Sequence, residues 1–201
     1  MVRFTDRVLR VALALFGALA LVAPAGAHAA GCPGQSLART FLPWTDPAWY
    51  TPVPDGGFEA RAAVWALRNG ATVVADNEPY RVGAAVDRWS LALPPGASAT
   101  SAALCIGVAH PTLRFFVRNS GSQTATLAVS VEFRDPDGSP QSLPIGLVTG
   151  GSDWGPSVAL PVAANVLSPA SVNEAAFRFA PTDGGVKWWI DDVYVDPYGK
   201  G

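Results

Sequence analysis

The strongest constraint on the fold is the frequency of glycine and proline, which interrupt the chain at short intervals beyond residue 30. The 201 residues include 20 Gly and 18 Pro. Between these interruptions, no segment of about ten or more residues places apolar side chains at the i, i+3, i+4 spacing of an amphipathic helix. Short apolar segments separated by turn residues are typical of β-strands. The sequence therefore predicts an all-β protein.

Two segments show clear strand alternation. Residues 127–133, LAVSVEF, alternate apolar side chains with polar or small ones. In residues 112–118, TLRFFVR, the apolar side chains at 113, 115 and 117 alternate with Arg114, Phe116 and Arg118. The turn residues Asn119 to Ser122 follow the earlier segment, so we expect these two strands to form a hairpin. Further short strands predict a two-sheet antiparallel β-sandwich of the jelly-roll type. These further candidates are 71–75, 89–93, 103–107, 142–148, 157–160, 175–179 and 188–195.

The N-terminus has the features of a signal peptide. Three arginines precede an apolar run, and Ala27-His28-Ala29 matches the small-x-small pattern of a cleavage site. The run is shorter than the ~20 residues that a membrane-spanning helix needs, and no later stretch could span a membrane. We expect a secreted protein with a signal peptide (1–29), an extended N-terminal lead (30–57) and a β-sandwich domain (58–201).

The charge of the chain argues against nucleic acid as a partner. Removal of residues 1–29 takes away three of the 14 basic residues and one of the 16 acidic residues. The remaining chain has 11 basic and 15 acidic residues. No cluster of Lys or Arg remains, whereas nucleic-acid-binding domains present a basic surface.

The two cysteines, Cys32 and Cys105, both lie in the exported part of the chain. An oxidising compartment favours a disulfide between them. The alternative is lipid attachment at Cys32, because residues 29–32, AAGC, resemble a bacterial lipobox, although Ala29 stands where Leu is usual. Lipidation would anchor the protein to a membrane and leave Cys105 as a free thiol.

Several motifs resemble, in their order along the chain, those of galactose-binding-like jelly rolls, a fold used by many carbohydrate-binding modules. The motifs are DGGFEA at 55–60, Trp65, NGATVV at 69–74, SLALPPG at 90–96 and WIDDVYV at 189–195. The chain also resembles a group of uncharacterised secreted bacterial proteins that share FLPW, PYRVG and WIDDVYVDPY. The resemblance implies a sandwich that binds carbohydrate and brings its first and last strands together.

The same resemblance implies a structural Ca²⁺ between the first and last strands, held by Glu59 and by Asp191 or Asp192. Hard carboxylate and carbonyl oxygens are the ligands that Ca²⁺ prefers. Successive strand residues point to opposite faces, so both aspartates could reach one ion only at a β-bulge, and Asp192 is preferred. Asp76 or Asn77 could complete the site. Alternatively, these carboxylates cap loop N–H groups or pair with arginines.

Candidate ligand-binding residues fall into an aromatic group and a charged group. Flat aromatic rings cover the apolar faces of sugars, and loop aromatics are the better candidates because strand tryptophans are usually core residues. The aromatic candidates are Trp154, Trp44, Trp49 and Tyr50. The charged candidates are the row Arg114, Arg118 and Glu132, with Arg178 from a third strand; such a row could bind an anionic glycan or form a solvated face with ion pairs.

Catalytic signatures are weak in this sequence. After loss of the leader a single histidine, His110, remains, and no Gly-x-Ser-x-Gly motif occurs. The glutamates are scattered and do not form a strand pattern that would place two carboxyls in one cleft. We therefore expect a non-catalytic module whose partner is a glycan or another cell-envelope component. A structural or protein-interaction sandwich and a divergent glycan-active enzyme are the alternatives.

Overall fold

The computed structural model describes residues 32, 34–107, 112–135, 137–162 and 172–197. These residues form one 3-10 turn, η1 (Leu42–Trp44), and thirteen strands. The strands are β1 (Thr51–Pro52), β2 (Ala66–Arg68), β3 (Thr72–Val74), β4 (Ser90–Leu93), β5 (Ser98–Thr100), β6 (Leu104–Gly107), β7 (Thr112–Asn119), β8 (Thr126–Arg134), β9 (Pro140–Thr149), β10 (Gly155–Pro156), β11 (Leu160–Pro161), β12 (Val172–Pro181) and β13 (Trp188–Val195). The signal peptide prediction and His110 fall outside the described residues.

The strands form two sheets in which the recorded pairings are antiparallel. Sheet I has the order β10-β7-β13-β4-β3, with β1 also paired to β13 and β11 to β7. Sheet II has the order β2-β5-β12-β8-β9, with β6 also paired to β12. The predicted two-sheet antiparallel β-sandwich is confirmed.

The core lies between the sheets and follows the alternation of the sequence. Leu113, Phe115 and Val117 of β7 face inward, as do Trp188 and Ile190 of β13. Sheet II contributes inward side chains from β8 and β12 to the same core. Burial of each large apolar side chain contributes about 1.5–3 kcal/mol, so the period-2 pattern fixes which face of each strand is inside.

The predicted hairpin between 112–118 and 127–133 is wrong. Strand β7 pairs with β13 in sheet I, whereas β8 pairs with β12 and β9 in sheet II. The chain crosses from one sheet to the other between Asn119 and Thr126. The alternation identified the buried face of each strand correctly, but it contains no information about which strand lies alongside.

The lead packs on the outer face of sheet I. Its Phe41 and Tyr50 are buried against Phe116 of β7 and Tyr194 of β13, forming a second apolar cluster outside the sandwich. Phe41 stacks on Phe116 with ring centroids 5.5 Å apart. Part of the outer face of sheet I is thus covered by the lead.

The predicted disulfide is present. Cys32 and Cys105 are joined by an S–S bond of 2.04 Å across 73 residues of sequence. The bond connects the start of the lead to β6 of sheet II and leaves no thiol at Cys32 for a lipid.

No helix within the described ranges has the length and apolar character that crossing a membrane requires.

Candidate functional site

Strand β13 contains a β-bulge at its two acidic residues. Its register with β7 shifts between Asp191 and Tyr194, and Asp192 has a φ of 46°. A bulge changes the direction of a side chain that would otherwise point to the opposite face. Both carboxyls are buried, with Asp191 1% and Asp192 4% exposed. The bulge therefore allows both of them to interact with a single covering segment.

That covering segment is residues 76–89, which we call the acidic loop. The Glu78 N–H donates to Asp191 Oδ2 at 3.1 Å, and the Gly83 N–H donates to the Asp192 carboxyl. Glu78 in turn accepts from the N–H groups of Tyr80 and Val82. Loop backbone donors and β13 carboxylates thus fix the loop to the outer face of sheet I.

The buried carboxyls repel one another. Burial, together with the charges of Asp192 and Glu78, raises the pKa of Asp191 to about 9. Burial and contact with the Glu78 carboxyl also raise the pKa of Asp192. Asp192 Oδ2 is buried without a hydrogen-bond partner. Burial and this repulsion favour the protonated form of the carboxyls at this position.

Of the four predicted metal ligands, Asp191 and Asp192 lie together, whereas Glu59 and Asp76 are bonded to other partners. Glu59 Oε1 accepts from the N–H groups of Arg88 and Trp89 at 2.6 and 2.9 Å, and Asp76 pairs with Arg118. Among the described residues, no three His, Cys, Asp or Glu side chains are grouped so that they could hold a metal ion. Asp191 and Asp192 lie instead with Glu78, which the sequence did not single out.

Beside the acidic loop, aromatic and basic side chains form a surface on the outer face of sheet I. We call this surface, made of Trp189, Arg118, Trp154 and Lys187, the Trp189 platform. Trp189 of β13 lies directly opposite Arg118 of β7 in the sheet register. The Arg118 guanidinium lies 4.0 Å from the Trp189 ring centroid and 5.4 Å from that of Trp154. Lys187 Nζ lies 4.7 Å from the Trp189 centroid.

The acidic loop supports the Trp189 platform at two points. Asp76 Oδ2 accepts a hydrogen bond from Arg118 Nη2 at 2.5 Å, which orients the guanidinium between the two indole rings. The Tyr80 hydroxyl donates to the Trp154 carbonyl at 3.1 Å. Both tryptophan side chains remain partly exposed. The result is a partly open aromatic surface with a guanidinium held in a fixed orientation.

The other predicted aromatics have different surroundings. Tyr50 is 1% exposed and belongs to the cluster beneath the lead. Trp44 packs edge-on against Tyr80, with centroids 4.9 Å apart, and so lies next to the acidic loop. Trp49 is 42% exposed and is covered by Arg39 at 4.7 Å. Of the four aromatic candidates, Trp154 is the one on the Trp189 platform.

Trp189 itself was expected to be a core residue because it lies in a strand. The alternation along β13 could have identified it, because Trp188 and Ile190 share one face of the strand and Trp189 lies on the other. Tyr80 and Lys187 gave no comparable signal, since neither lies in a segment with a regular apolar pattern.

The predicted charged row does not exist as one row. Arg114 and Arg118 belong to sheet I, whereas Glu132 and Arg178 belong to sheet II and face each other at 3.9 Å. Arg114 is 8% exposed; its Nη1 donates to Asp46 Oδ2 at 2.6 Å, and its guanidinium covers the Phe41 ring at 4.4 Å. Arg114 therefore anchors the lead to sheet I.

No protein-family model and no curated protein matches this sequence. Solved structures do match the fold. The CBM22-1 and GH10 modules of Clostridium thermocellum endo-1,4-beta-D-xylanase 10B, complexed with xylohexaose, match at 16% identity and a TM-score of 0.52. That match covers 74% of this chain and 29% of the xylanase chain.

Two further matches have lower structural similarity. The C-terminal family 22 carbohydrate binding module of Clostridium thermocellum Xyn10B matches at 15% identity and a TM-score of 0.46, over 75% of this chain and 98% of that one. The enzymatically active domain of bacteriophage CBA120 tailspike protein 4 matches at 20% identity and a TM-score of 0.46, over 72% of this chain and 21% of the tailspike chain. The fold expected from the resemblance to carbohydrate-binding modules is confirmed.

Proposed function

We propose that this protein is a secreted, non-catalytic module that binds carbohydrate at the Trp189 platform. The observation that supports this most directly is the arrangement of Trp189, Arg118 and Trp154, in which one guanidinium lies over two partly exposed indoles. The xylanase structure with the same fold, solved with xylohexaose, is consistent with a sugar ligand.

The chemistry of the Trp189 platform suits a sugar ring. An indole face covers the apolar C–H face of a pyranose, and a fixed guanidinium donates hydrogen bonds to ring hydroxyls. Asp76 restricts the Arg118 side chain, and the Trp154 side chain packs against the Phe41 cluster while Tyr80 holds its backbone carbonyl, so little side-chain freedom is lost when a ligand binds.

A hydrolytic role is disfavoured by the positions of the carboxyls. Glycoside hydrolysis uses two carboxyls that flank the scissile bond. Asp76, the carboxylate bonded to the Trp189 platform, is paired with Arg118. Glu78 of the acidic loop and the two β13 carboxyls beneath it, Asp191 and Asp192, are at most 4% exposed. They therefore cannot reach a bound glycan.

We include a structural Ca²⁺ ion in the proposal. Asp192 Oδ2 is buried without a hydrogen-bond partner, and the Glu78 carboxyl contacts Asp192, so two hard oxygen donors lie together where a cation would relieve their repulsion. Asp192 and Glu78 would hold the ion, and Glu59 and Asp76 would keep their present partners. Bound Ca²⁺ would neutralise the carboxylates and so stabilise the acidic loop against β13.

The test uses the exported protein and tryptophan variants at matched positions. Trp189→Ala and Trp154→Ala should each weaken binding on a glycan array or in affinity gels by about tenfold or more. Trp49→Ala is the control, because Trp49 is exposed and its recorded ring contact is with Arg39. Thermal melts verify that each variant is folded.

A wild-type protein that binds no glycan, or platform variants that bind like wild type, would contradict the proposal. Binding lost equally in Trp49→Ala would move the site to the lead. Mass spectrometry of the exported chain tests secretion, since cleavage after Ala29 gives an N-terminus at Ala30.

A further inference from the structure

We propose that the glycan bound at the Trp189 platform contains carboxylate groups, as in a polysaccharide of uronic acids. This inference rests on the proposed function and adds the class of ligand. It derives from the charges around Trp189, where two cations approach one indole ring and, among the described residues, one of them forms an ion pair, Arg118 with Asp76.

Lys187 is the first of these cations. Its Nζ lies 4.7 Å from the Trp189 ring centroid. It forms no ion pair with any residue that the structure describes, although it lies close to an aromatic surface and is only partly exposed. The Lys187 ammonium therefore lies close to any ligand that occupies the Trp189 ring.

Arg118 is the second cation. Asp76 binds its Nη2, but its Nε is buried without a hydrogen-bond partner. The guanidinium is fixed by Asp76 and by the two indoles, so this donor cannot move away to solvent without breaking those contacts. The Arg118 side chain is 24% exposed, so an acceptor on the ligand could reach the outer guanidinium nitrogens, although not the buried Nε.

These two observations favour an anionic ligand over a neutral one. A neutral sugar stacked on Trp189 would displace water from Lys187 and Arg118 and offer only hydroxyl acceptors in return, and a desolvated charge without a charged partner is unfavourable. A carboxylate would form charge-assisted hydrogen bonds with both cations. The chain as a whole has a net charge of −2, so the local excess of positive charge belongs to this surface and not to the whole protein.

The experiment compares polymers that share a backbone and differ in charge. Polygalacturonate and its fully methyl-esterified form are titrated into the protein at low and high salt, with neutral xylan, neutral galactan and a sulfated galactan in parallel. We expect polygalacturonate to bind at least about tenfold more tightly than its ester at low salt, and this difference to shrink at high salt.

The matched variants are Lys187→Gln and Arg68→Gln, which make the same charge change on opposite sheets. Arg68 is exposed on β2 of sheet II. Lys187→Gln should weaken polygalacturonate binding about five- to twentyfold and so narrow its preference over the ester, whereas Arg68→Gln should leave both affinities unchanged.

Each outcome decides between the two proposals. Equal binding of polygalacturonate and its ester, preference for neutral polymers, or preference for the sulfated galactan alone would overturn the carboxylate assignment and leave the glycan-binding function standing. An unchanged affinity in Lys187→Gln would also overturn it. A protein that binds none of the polymers would contradict the proposed function itself.

Discussion

At the scale of single residues, two ion pairs of the same chemical type differ in how deeply they are buried. Arg114 and Asp46 are 10% and 20% exposed at their side chains and lie 2.6 Å apart. Arg178 and Glu132 are 41% and 35% exposed and lie 3.9 Å apart. Loss of one partner from a buried pair leaves an uncompensated charge, whereas an exposed charge is rehydrated.

The first prediction compares these pairs. Asp46→Asn should lower the free energy of unfolding by about 2–3 kcal/mol, because Arg114 stays buried against Phe41 without its counter-charge. Glu132→Gln should lower it by less than about 1 kcal/mol. Urea denaturation measures both. Similar losses in the two variants would show that the Arg114 pair does not anchor the lead.

The second prediction concerns the pH dependence of stability without metal. Burial and the neighbouring charges of Asp192 and Glu78 raise the pKa of Asp191 from 3.8 to about 9. Between these two values the folded protein holds a proton that the unfolded chain has released, so the free energy of unfolding must fall as pH rises. The slope for one such group is at most about 1.4 kcal/mol per pH unit.

In a chelating buffer, the wild-type melting temperature should therefore be higher at pH 5 than at pH 9. Asp191→Asn keeps an oxygen acceptor for the Glu78 N–H and removes the titrating group, so its melting temperature should depend less on pH. Calorimetric melts across this range provide the measurement. A wild-type melting temperature that rises with pH would refute the assignment.

At the scale of elements, the sequence predicted the strands and their buried faces better than their neighbours. Leu113, Phe115 and Val117 alternate in a way that identifies the inner face of β7, but the link from 119 to 125 has no two-residue turn signal, and β8 joins the other sheet. The position of the acidic loop was still harder to predict from the sequence, because Glu78 lies in a segment without periodicity and its partner Asp191 is 113 residues away. Local pattern contains no information about such a pairing.

The resemblance predicted that the first strand lies beside the last; in the structure β1, within the lead, pairs with β13, and the geometry of this contact gives a third prediction. Val53 N donates to Val193 O at 2.9 Å, and Val193 N donates to Gly56 O at 3.1 Å. A Cβ on Gly56 would lie 2.6 Å from Val193 O and 3.0 Å from Val53 O. Both are backbone atoms of this connection, so neither can move without disturbing it.

Gly56→Ala should therefore destabilise the protein by about 2 kcal/mol or more. Gly34→Ala, where a Cβ meets no atom within 4 Å, should change stability by less than about 0.5 kcal/mol. Hydrogen exchange should locate the loss of protection at Val193 and Val53. Uniform loss across both sheets would indicate instead that this contact does not open separately from the core.

At the scale of the whole molecule, one segment links the buried carboxyls to the proposed glycan surface. The acidic loop bonds β13 through Glu78 and Gly83, and it bonds the Trp189 platform through Asp76 and Tyr80. If a ligand on one side stabilises the loop and so strengthens binding on the other side, the effect in the reverse direction is equal in size, because coupling between two sites is reciprocal.

The last prediction follows from this connection. Ca²⁺ should raise the melting temperature of the wild-type protein and strengthen its glycan binding by a few-fold, because neutralising Asp192 and Glu78 holds Asp76 and Tyr80 in position. Glu78→Gln removes one carboxylate, so both effects of Ca²⁺ should largely disappear in this variant. Glu132→Gln, on the other sheet, should keep both effects of Ca²⁺.

Calorimetric melts and titrations with and without chelator test the two effects separately. Stabilisation by Ca²⁺ without a change in glycan affinity would show that the acidic loop does not couple the Ca²⁺ site to the Trp189 platform. Equal responses of Glu78→Gln and wild type to Ca²⁺ would show that Glu78 does not bind the ion.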